Sequence, residues 1–449
     1  MRLVRKVKVG SRLEGYLDEE GLFVDRKYVE IHDINTSDIE LETQISEKYI
    51  NKIKSVNVYQ YIKREEEKTI SDSIKNNRIT ILYGPRYVGK SYLAIKESNK
   101  LGYNTVYRDL EINDLGRIAL SNLERYSELK KKGQVVYIID NISKINKDEL
   151  NRIDKDIKIV LIYNKIIENG IFIKSIGFND FNRHIKNNSI DENYRLYKEI
   201  GGYPSVILEY IKTNDIKTSI KIYEKIIYDS IPKILPNKKL QILVEDLAYC
   251  MLGDGKSKKK LKSRYVNYIN RHGFIGDGND IANKLIDTLR VNGIIDYSHC
   301  NKIAGVDKEL KAYFLDSGML NAIMRKCSAG KSRKIGFMTE NFVYVELYSI
   351  CKNGRFFEEV PYFSLYKNYE IDFMLTDKIK NETYIFEVKT SGNNYSAKSF
   401  DFYLNERLVD YGLKCMDTDT VIHNENRCIL PVYNVREEMN SHVIYDSNR

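Results

Sequence analysis

The sequence predicts an α/β protein built on a parallel sheet, and two observations lead to this fold class. Short apolar segments typical of buried strands recur in the first half of the chain, with helical patterns between them. Among them are residues 79–83, 134–141 and 158–164, and each leads into a glycine or ends in a polar residue. Strands that alternate with helices form parallel sheets that bind ligands at the carboxyl ends of their strands. We therefore expect a site at that edge.

The first of these segments leads into residues 84–91, GPRYVGKS, and then into a helix that starts near Lys90. Gly84 and Gly89 let the backbone curl so that its N–H groups point at phosphate oxygens, and the helix adds the positive end of its dipole. Lys90 can reach the β- and γ-phosphates, and the Ser91 hydroxyl can bind Mg²⁺. The motif predicts a nucleotide-binding loop (P-loop); the alternative is a strand–helix turn without a chemical role. The predicted nucleotide-binding residues are Gly84, Pro85, Arg86, Tyr87, Val88, Gly89, Lys90, Ser91 and Tyr92.

Polar residues at the ends of the two later segments are further candidates. Asp140 ends an apolar run about 50 residues after the loop, as in a Walker B strand, and would hold Mg²⁺ beside Ser91. Asn164 occupies the position where P-loop ATPases of the AAA+ type carry a polar sensor of the γ-phosphate; the alternative is an ordinary turn residue. Lys90, Asp140 and Asn164 are thus the predicted catalytic residues of this site.

A second candidate site lies near the C-terminus, where two apolar segments predict a β-hairpin. Asp372 lies in the first strand, and Glu387 and Lys389 lie two apart, on one face of the second. Neighbouring carboxylates can bind Mg²⁺, and a lysine can stabilise the charge that develops during phosphodiester cleavage. These three residues are the predicted catalytic set, and the alternative is a surface hairpin with alternating charges. The predicted metal ligands of the two sites are Ser91, Asp140, Glu340, Asp372 and Glu387, with Glu340 on a preceding amphipathic helix.

Composition indicates the compartment, the kinds of metal site and the partners to expect. The six cysteines form no CxxC pair and the six histidines are unclustered, which indicates free thiols in a reducing cytoplasm and no histidine-based metal site. No apolar run approaches the roughly 18 residues that a membrane helix needs, so we expect no membrane partner. The net charge of +9 permits contact with nucleic acid without requiring it.

Several motifs together resemble one family. They are GPRYVGKS at 84–91, the strand ending at Asp140, GGYP at 201–204, YFLDSGML at 313–320, Gly336 to Glu340 with Glu346 and Leu347, EIDF at 370–373, EVK at 387–389 and ILPVY at 429–433. With them the chain resembles the archaeal and bacterial AAA-family ATPases that combine a P-loop domain, a winged helix and a C-terminal restriction-endonuclease-like (PD-(D/E)xK) domain. The resemblance covers about residues 55–435.

The resemblance implies roles for individual residues. Gly84, Gly89, Lys90 and Ser91 would bind ATP and Mg²⁺ with Asp140, while Glu340, Asp372, Glu387 and Lys389 occupy the positions of the nuclease-like site. One residue departs from the family pattern: Asn141 follows the Walker B aspartate where the family usually has glutamate. An amide cannot accept a proton from the attacking water as a carboxylate can.

Five domains are expected along the chain. They are a β-rich N-terminal arm at 1–54, the P-loop ATPase core at 55–184, a helical lid at 185–235, a winged helix at 236–327 and the restriction-endonuclease-like α/β domain at 328–449. Within the winged helix, residues 240–248 have helical periodicity and a hairpin is expected from Gly293 onward. The basic run 256–265, KSKKKLKSRY, can contact DNA phosphates; the alternative is a solvated face.

The predicted function is that of an ATPase that uses ATP and Mg²⁺ and acts on DNA through the winged helix and the nuclease-like domain. The alternative is an ATP-gated regulatory switch that binds DNA or protein and does not cut. A homo-oligomer is compatible with both functions. An arginine acting in trans would require such a neighbouring subunit.

Overall fold

The structure is a computed structural model, and the part of the chain that it describes forms two compact units. The units are Met1–Lys174 and Ser175–Arg449. No described helix is both long enough and apolar enough to cross a membrane. The described residues are 3–9, 13–18, 23–25, 42–45, 61–110, 133–142, 150, 153, 155–185, 188–230, 263, 266–267, 269–270, 278–301, 310–325, 331–352, 356–390, 397–417 and 420–444.

The first unit begins with a small sheet in the segment expected to be β-rich. Its strands are β1 (Leu3–Val9), β2 (Leu13–Asp18), β3 (Phe23–Asp25) and β4 (Glu42–Ile45). They lie in the order β3-β2-β1-β4, with β1 antiparallel to β2 and parallel to β4.

The main sheet of the first unit has five parallel strands, which confirms the predicted fold class. Its strands are β5 (Ile79–Tyr83), β6 (Asn104–Asp109), β7 (Val135–Asp140), β8 (Lys158–Tyr163) and β9 (Ile171–Phe172), in the order β6-β7-β8-β5-β9. Helices α1 (Glu66–Asn76) and α2 (Lys90–Lys100) contact the sheet. Every residue of β7 is buried, as expected for a parallel strand covered on both faces. This order brings the carboxyl ends of β5, β8 and β7 together, and with them the ends of the three predicted segments.

The second unit starts with five short helices. They are α3 (Phe178–His184), α4 (Ile190–Ile200), α5 (Pro204–Thr213), α6 (Ile216–Ile220) and α7 (Ile222–Ser230). A capping box at Ser189 and Glu192 starts α4, and Asp215 caps α6. The segment 185–235 is therefore helical as expected over its described residues. These helices group with the C-terminal unit, however, and the boundary between the units falls at Lys174, ten residues before the expected end of the core.

Two of the quoted motifs meet in this unit and explain that grouping. Both oxygens of the buried Asp316 carboxylate are used: one accepts from the Gly202 N–H at 2.9 Å and the other from the Tyr223 hydroxyl at 2.7 Å. Gly201 has φ +67°, and a Cβ there would lie 2.3 Å from Asp316 Oδ1, so no other residue fits. Burial raises the pKa of Asp316. GGYP and YFLDSGML are thus two halves of one packed junction.

The rest of the second unit is a mixed sheet of eight strands with helices against it. The strands are β10 (Ile295–Asn301), β11 (Leu310–Phe314), β12 (Tyr362–Tyr366), β13 (Tyr369–Thr376), β14 (Thr383–Lys389), β15 (Tyr411–Met416), β16 (Ile422–Asn424) and β17 (Arg427–Pro431), in the order β11-β10-β12-β13-β14-β15-β17-β16. The helices are α8 (Gly278–Val291), α9 (Ser317–Met324), α10 (Lys331–Cys351), α11 (Lys398–Asn405) and α12 (Val435–Ile444).

The hairpin expected from Gly293 is present, but it does not stand alone as a wing. β10 and β11 are antiparallel, and β10 also pairs with β12 through Cys300 and Asn301, so the hairpin extends the C-terminal sheet. The helix at 240–248 lies outside the described residues, as does the basic run 256–265 apart from Ser263. The winged helix and the division into five domains stay predictions.

Candidate functional site

The P-loop follows β5 through a turn that only glycine can make. Gly84 has φ +142°, and a Cβ at this position would lie 2.1 Å from the Ile173 carbonyl oxygen. The Ile173 N–H in turn donates to the Tyr83 carbonyl at 2.8 Å. The loop therefore begins against β9, which fixes the direction in which the chain leaves the sheet.

The loop ends where α2 begins. Gly89 precedes the helix with φ +94°, and Tyr87 is also left-handed, with φ +64° and an exposed ring. Such a sequence of turns directs backbone N–H groups inward, which suits an anion. All of the predicted nucleotide-binding residues lie in this continuous segment between β5 and the first turn of α2: Gly84, Pro85, Arg86, Tyr87, Val88, Gly89, Lys90, Ser91 and Tyr92.

The Lys90 ammonium group lies inside the loop. Its Nζ donates to the Gly84 carbonyl at 3.0 Å and also to the Pro85 carbonyl, and the side chain is buried. A cation inside a loop of inward-pointing N–H groups favours an incoming polyphosphate. The loop is also braced from outside by Arg64, which donates to the Val88 carbonyl at 2.6 Å and to the Lys174 carbonyl at 2.6 Å. Sequence reasoning missed Arg64, because it lies well before the motif.

Ser91 and Asp140 form the second part of the site. The Ser91 hydroxyl donates to Asp140 Oδ2, and the Tyr107 hydroxyl donates to the same oxygen at 2.5 Å. Burial raises the pKa of Tyr107, and the Asp140 charge raises it further, so the phenol stays protonated and remains a donor. Hydroxyl and carboxylate oxygens are the donors that Mg²⁺ prefers, so this pair fits the ion. Tyr107 was not predicted, since its contact depends on the pairing of β6 with β7.

A chain of side chains joins three neighbouring strand ends. Asn164, one residue beyond β8, donates from Nδ2 to Asn141 Oδ1. Asn141 donates from its own Nδ2 to Asp109 Oδ1 at 2.5 Å and adopts φ +60° just after β7. Asp109 ends β6 and is buried. The structure therefore brings the predicted residues Asp140 and Asn164 to one edge and adds Asp109, whose only sequence signal was its place at the end of an apolar segment.

The C-terminal candidate residues also come together. Glu340 on α10 accepts from the Tyr313 hydroxyl at 2.7 Å, and Asp372 on β13 accepts from the Val388 N–H at 2.8 Å. On β14, Lys389 Nζ lies 2.5 Å from Glu387 Oε1. β13 and β14 form the expected antiparallel hairpin. The charges of three carboxylates from three elements thus act on one another, and Lys389 pairs with Glu387.

Charge repulsion and burial shape this acidic cluster. Burial raises the pKa of Asp372 to about 7, and the Glu340 and Glu387 carboxylates act in the same direction. Burial also raises the pKa of Glu387, against the opposing effect of Lys389. Lys311, which sequence reasoning missed, pairs with Glu370; burial lowers its pKa, but Glu340 and Glu370 together raise it above the ordinary value. Burial and mutual repulsion therefore disfavour the ionised forms of Asp372 and Glu387.

One atom of this cluster lacks a partner. Glu387 Oε2 is buried and has no hydrogen-bond donor among the described residues. A buried carboxylate oxygen without a donor is costly, and a bound cation removes that cost. An ion that prefers oxygen ligands would find this free oxygen at Glu387, but Glu340, Asp372 and Glu387 do not form a group whose ligand atoms all lie within 4.8 Å of one another.

A third group of potential ligands was not expected from the unclustered histidines. His423, Cys428 and Glu438 hold ligand atoms within 4.8 Å of one another. His423 and Cys428 face each other across β16 and β17, a pairing that depends on strand register and so leaves no trace in the spacing.

Family comparison agrees with the fold of the first unit. Residues 76–163 match the model of a family described as an AAA domain. The parallel sheet and the P-loop lie in the first unit, and the matched range covers the loop and β5 to β8. In the second unit, residues 335–435 match the model of a domain of unknown function, DUF4143. That range contains Glu340, Asp372, Glu387 and Lys389 of the acidic cluster.

Three solved structures are similar to the chain at low identity. The Walker-type ATPase paby2304 of Pyrococcus abyssi is 15% identical, with 59% of this chain and 96% of that chain covered and a TM-score of 0.40. The Aeropyrum pernix ORC1 protein in complex with DNA is 13% identical, with 60% and 95% covered and a TM-score of 0.30. PCH-2 of C. elegans is 13% identical, with 45% of this chain and 74% of that chain covered and a TM-score of 0.22. A search of curated proteins found no match. Because these TM-scores are low, the function rests on the chain's own residues.

Proposed function

We propose that the chain hydrolyses ATP with Mg²⁺ at the carboxyl edge of the five-stranded sheet. The observation that carries this proposal is the pairing of the buried Lys90 ammonium group inside the loop with the Ser91–Asp140 contact next to it. A triphosphate with its metal ion needs a cation, a hydroxyl and a carboxylate in this arrangement.

The residues divide the work of this reaction. The loop backbone and Lys90 bind the β- and γ-phosphates and neutralise charge on the transferring group. Ser91 and Asp140 hold Mg²⁺, which would supply further charge neutralisation at the phosphate oxygens. Asn164 lies at the next strand end and can donate to the γ-phosphate or to the attacking water. Tyr107 keeps the Asp140 carboxylate oriented through its 2.5 Å hydrogen bond.

Phosphate release tests this proposal. We expect wild-type protein to release phosphate from ATP in the presence of Mg²⁺ and Lys90→Ala to lose at least about 100-fold in turnover, since the principal phosphate cation is gone. Lys158→Ala is a suitable control, because Lys158 begins β8 at the opposite edge of the sheet and donates to the Lys75 and Asn77 carbonyls at the end of α1. Absence of phosphate release by the wild type under all metal conditions would refute the proposal.

A second candidate function is metal-dependent cleavage of DNA by the C-terminal unit. It is favoured by the unpartnered Glu387 Oε2, whose carboxylate interacts with the charge of Asp372 and pairs with Lys389. Two of these carboxylates would bind the metal, and Lys389 would orient the attacking water or stabilise the developing charge. This function would make segment 328–449 a restriction-endonuclease-like domain and DNA its substrate, with the segment 236–327 as a winged helix that contacts DNA.

Plasmid nicking tests the second candidate. Wild-type protein is expected to relax supercoiled plasmid with Mg²⁺ or Mn²⁺, and Asp372→Asn is expected to remove this activity. Asp401→Asn makes the same chemical change at the ion pair with Arg427 and should keep it. If no nucleotide or metal condition gives nicking while ATP changes the affinity for DNA or a protein partner, the chain acts as an ATP-gated regulatory switch instead.

A further inference from the structure

The residue after Asp140 cannot serve as the general base of the proposed hydrolysis. Asn141 holds the position at which the resembling family usually has glutamate, and an amide cannot take a proton from water. The backbone at Asn141 nevertheless has an unusual conformation. Asn141 adopts φ +60°, and its N–H donates to Asp140 Oδ1 at 2.8 Å, which turns its side chain along the strand ends.

The side chain of Asn141 leads directly to a carboxylate. β6 and β7 are parallel with Asp109 in register with Asp140, so both acids reach the same edge of the sheet. The distance from Asn141 Nδ2 to Asp109 Oδ1 is 2.5 Å, and only 8% of Asp109 is exposed. An ionised carboxylate only accepts hydrogen bonds, so the amide must present its Nδ2 to Asp109 and its oxygen to Asn164.

This orientation makes the three residues a directed series. Asn164 donates to Asn141, and Asn141 donates to Asp109. The Asn141 amide therefore holds Asp109 in place through a hydrogen bond. Because the amide cannot ionise, it does not transfer a proton to Asp109. A carboxylate fixed by a neutral amide beside the metal-binding residues has two properties of a general base: it is oriented and it is shielded from bulk water.

We propose that Asp109 is the catalytic base of ATP hydrolysis and takes the role that the residue after Asp140 plays in related ATPases; this inference rests on the proposed ATPase function. Asp109 accepts a proton from the attacking water as the water oxygen bonds to the γ-phosphorus. The bond between that phosphorus and the β,γ-bridging oxygen breaks, and ADP leaves with the bond's electron pair. The proton then passes from Asp109 to the released phosphate or to solvent. Asn141 is a positioning residue.

Asp109→Asn is the direct test, because it removes the charge and keeps the size of the side chain. We expect turnover to fall about 100-fold or more, the usual contribution of a general base. The dissociation constant of a fluorescent ATP analogue, measured with Mg²⁺, should stay within about threefold, since the base acts mainly in the transition state. Asp109→Glu is expected to recover part of the lost turnover.

Two further variants keep the inference falsifiable if Asp109→Asn folds poorly. Asn141→Ala leaves the carboxylate in place and removes only its positioning amide, so it should reduce turnover less than Asp109→Asn does. Asp156→Asn is the matched control, because Asp156 is exposed and lies just before β8, at the amino edge of the sheet. Its turnover and analogue binding should equal those of the wild type.

The outcomes separate this inference from the function on which it rests. If the wild type does not hydrolyse ATP, both are overturned. If the wild type hydrolyses ATP and Asp109→Asn does so equally well, or Asn141→Ala is the more damaged variant, the ATPase function stands and the role of Asp109 is overturned. If Asp109→Asn loses analogue binding in proportion to turnover, Asp109 supports the site structurally and the inference is also overturned.

Discussion

Asp372 shows how single residues in this chain carry unfavourable charge. It is half-buried near two other carboxylates, and the contacts that favour its ionised form are the nearby Lys311 and the Val388 N–H. A residue in such surroundings destabilises the fold when it ionises, unless a ligand compensates. Residues of this kind usually serve binding or catalysis, because packing alone would favour a neutral side chain.

A dependence of stability on pH follows from Asp372. Burial raises its folded-state pKa from 3.8 to about 7, so between these values the folded protein binds the proton more tightly than the unfolded chain does. Wild-type stability should therefore fall as the pH rises from about 4 to about 7. Asp372→Asn does not ionise and escapes this loss.

Unfolding curves in metal-free buffer measure this effect. We expect Asp372→Asn to be more stable than the wild type at pH 8, by on the order of a few kcal/mol, and the difference to shrink towards pH 4. Adding Mn²⁺ at pH 8 should narrow the gap by stabilising the wild type. Equal stability of both proteins at every pH would show that Asp372 does not titrate in this way.

At the scale of elements, strand order decides which residues meet. β8 lies between β5 and β7, so the loop after β5, Asn164 and Asp140 share one edge, while β9 closes the outer side of β5. The close approach of β9 is the reason for a glycine at position 84. The P-loop is thus shaped by a neighbouring strand as well as by its own motif.

Gly84→Ala tests the contact between the loop and β9. The added methyl group would lie 2.1 Å from the Ile173 carbonyl oxygen, so β9 or the loop must move. We expect loss of nucleotide-analogue binding and a lower unfolding temperature, equivalent to about 1–3 kcal/mol. Gly336→Ala is the control, because a methyl group on α10 there meets nothing within 4 Å and should stabilise the helix by up to about 1 kcal/mol. Unchanged binding in Gly84→Ala would contradict this account.

Much of the first site could be predicted because its residues are adjacent in sequence or end recognisable strands. Lys90, Ser91 and Asp140 are of this kind. Arg64, Tyr107 and Asp109 could not be predicted, because their contacts depend on strand pairing and on backbone carbonyls far away in sequence. In the second site the expected hairpin is present and brings the strands of Asp372 and Glu387 together, whereas Lys311 lies on β11, outside the hairpin.

At the scale of the whole molecule, the chain divides at Lys174 instead of after the helices that follow the five-stranded sheet. Sequence patterns suggested that these helices are a lid of the ATPase core, since they come next in the chain. The Gly202–Asp316 contact shows why they group with the C-terminal unit: it spans 114 residues, and periodicity cannot register so distant a contact. Local sequence predicts elements better than it predicts their partners.

Two fragments test this division. A fragment of residues 175–449 retains every described partner of Asp316 and is expected to unfold in one cooperative transition. A fragment of residues 236–449 lacks the Gly202 N–H and the Tyr223 hydroxyl together with α4, which packs against α9, so it exposes the surface that α4 covers. Limited proteolysis and thermal unfolding should show the shorter fragment to be cleaved faster and to melt at lower temperature. Equal resistance of the two fragments would argue against the boundary at Lys174.

The Gly202–Asp316 junction also constrains the order of events during synthesis. The helices from Ser175 to Ser230 leave the ribosome before the residue that completes their packing has been made, because 114 residues separate the two partners. At ordinary elongation rates this is a delay of roughly 6 to 23 s. During that interval the parallel sheet is already fully synthesised, while the Gly202 N–H lacks its Asp316 partner and the junction cannot close.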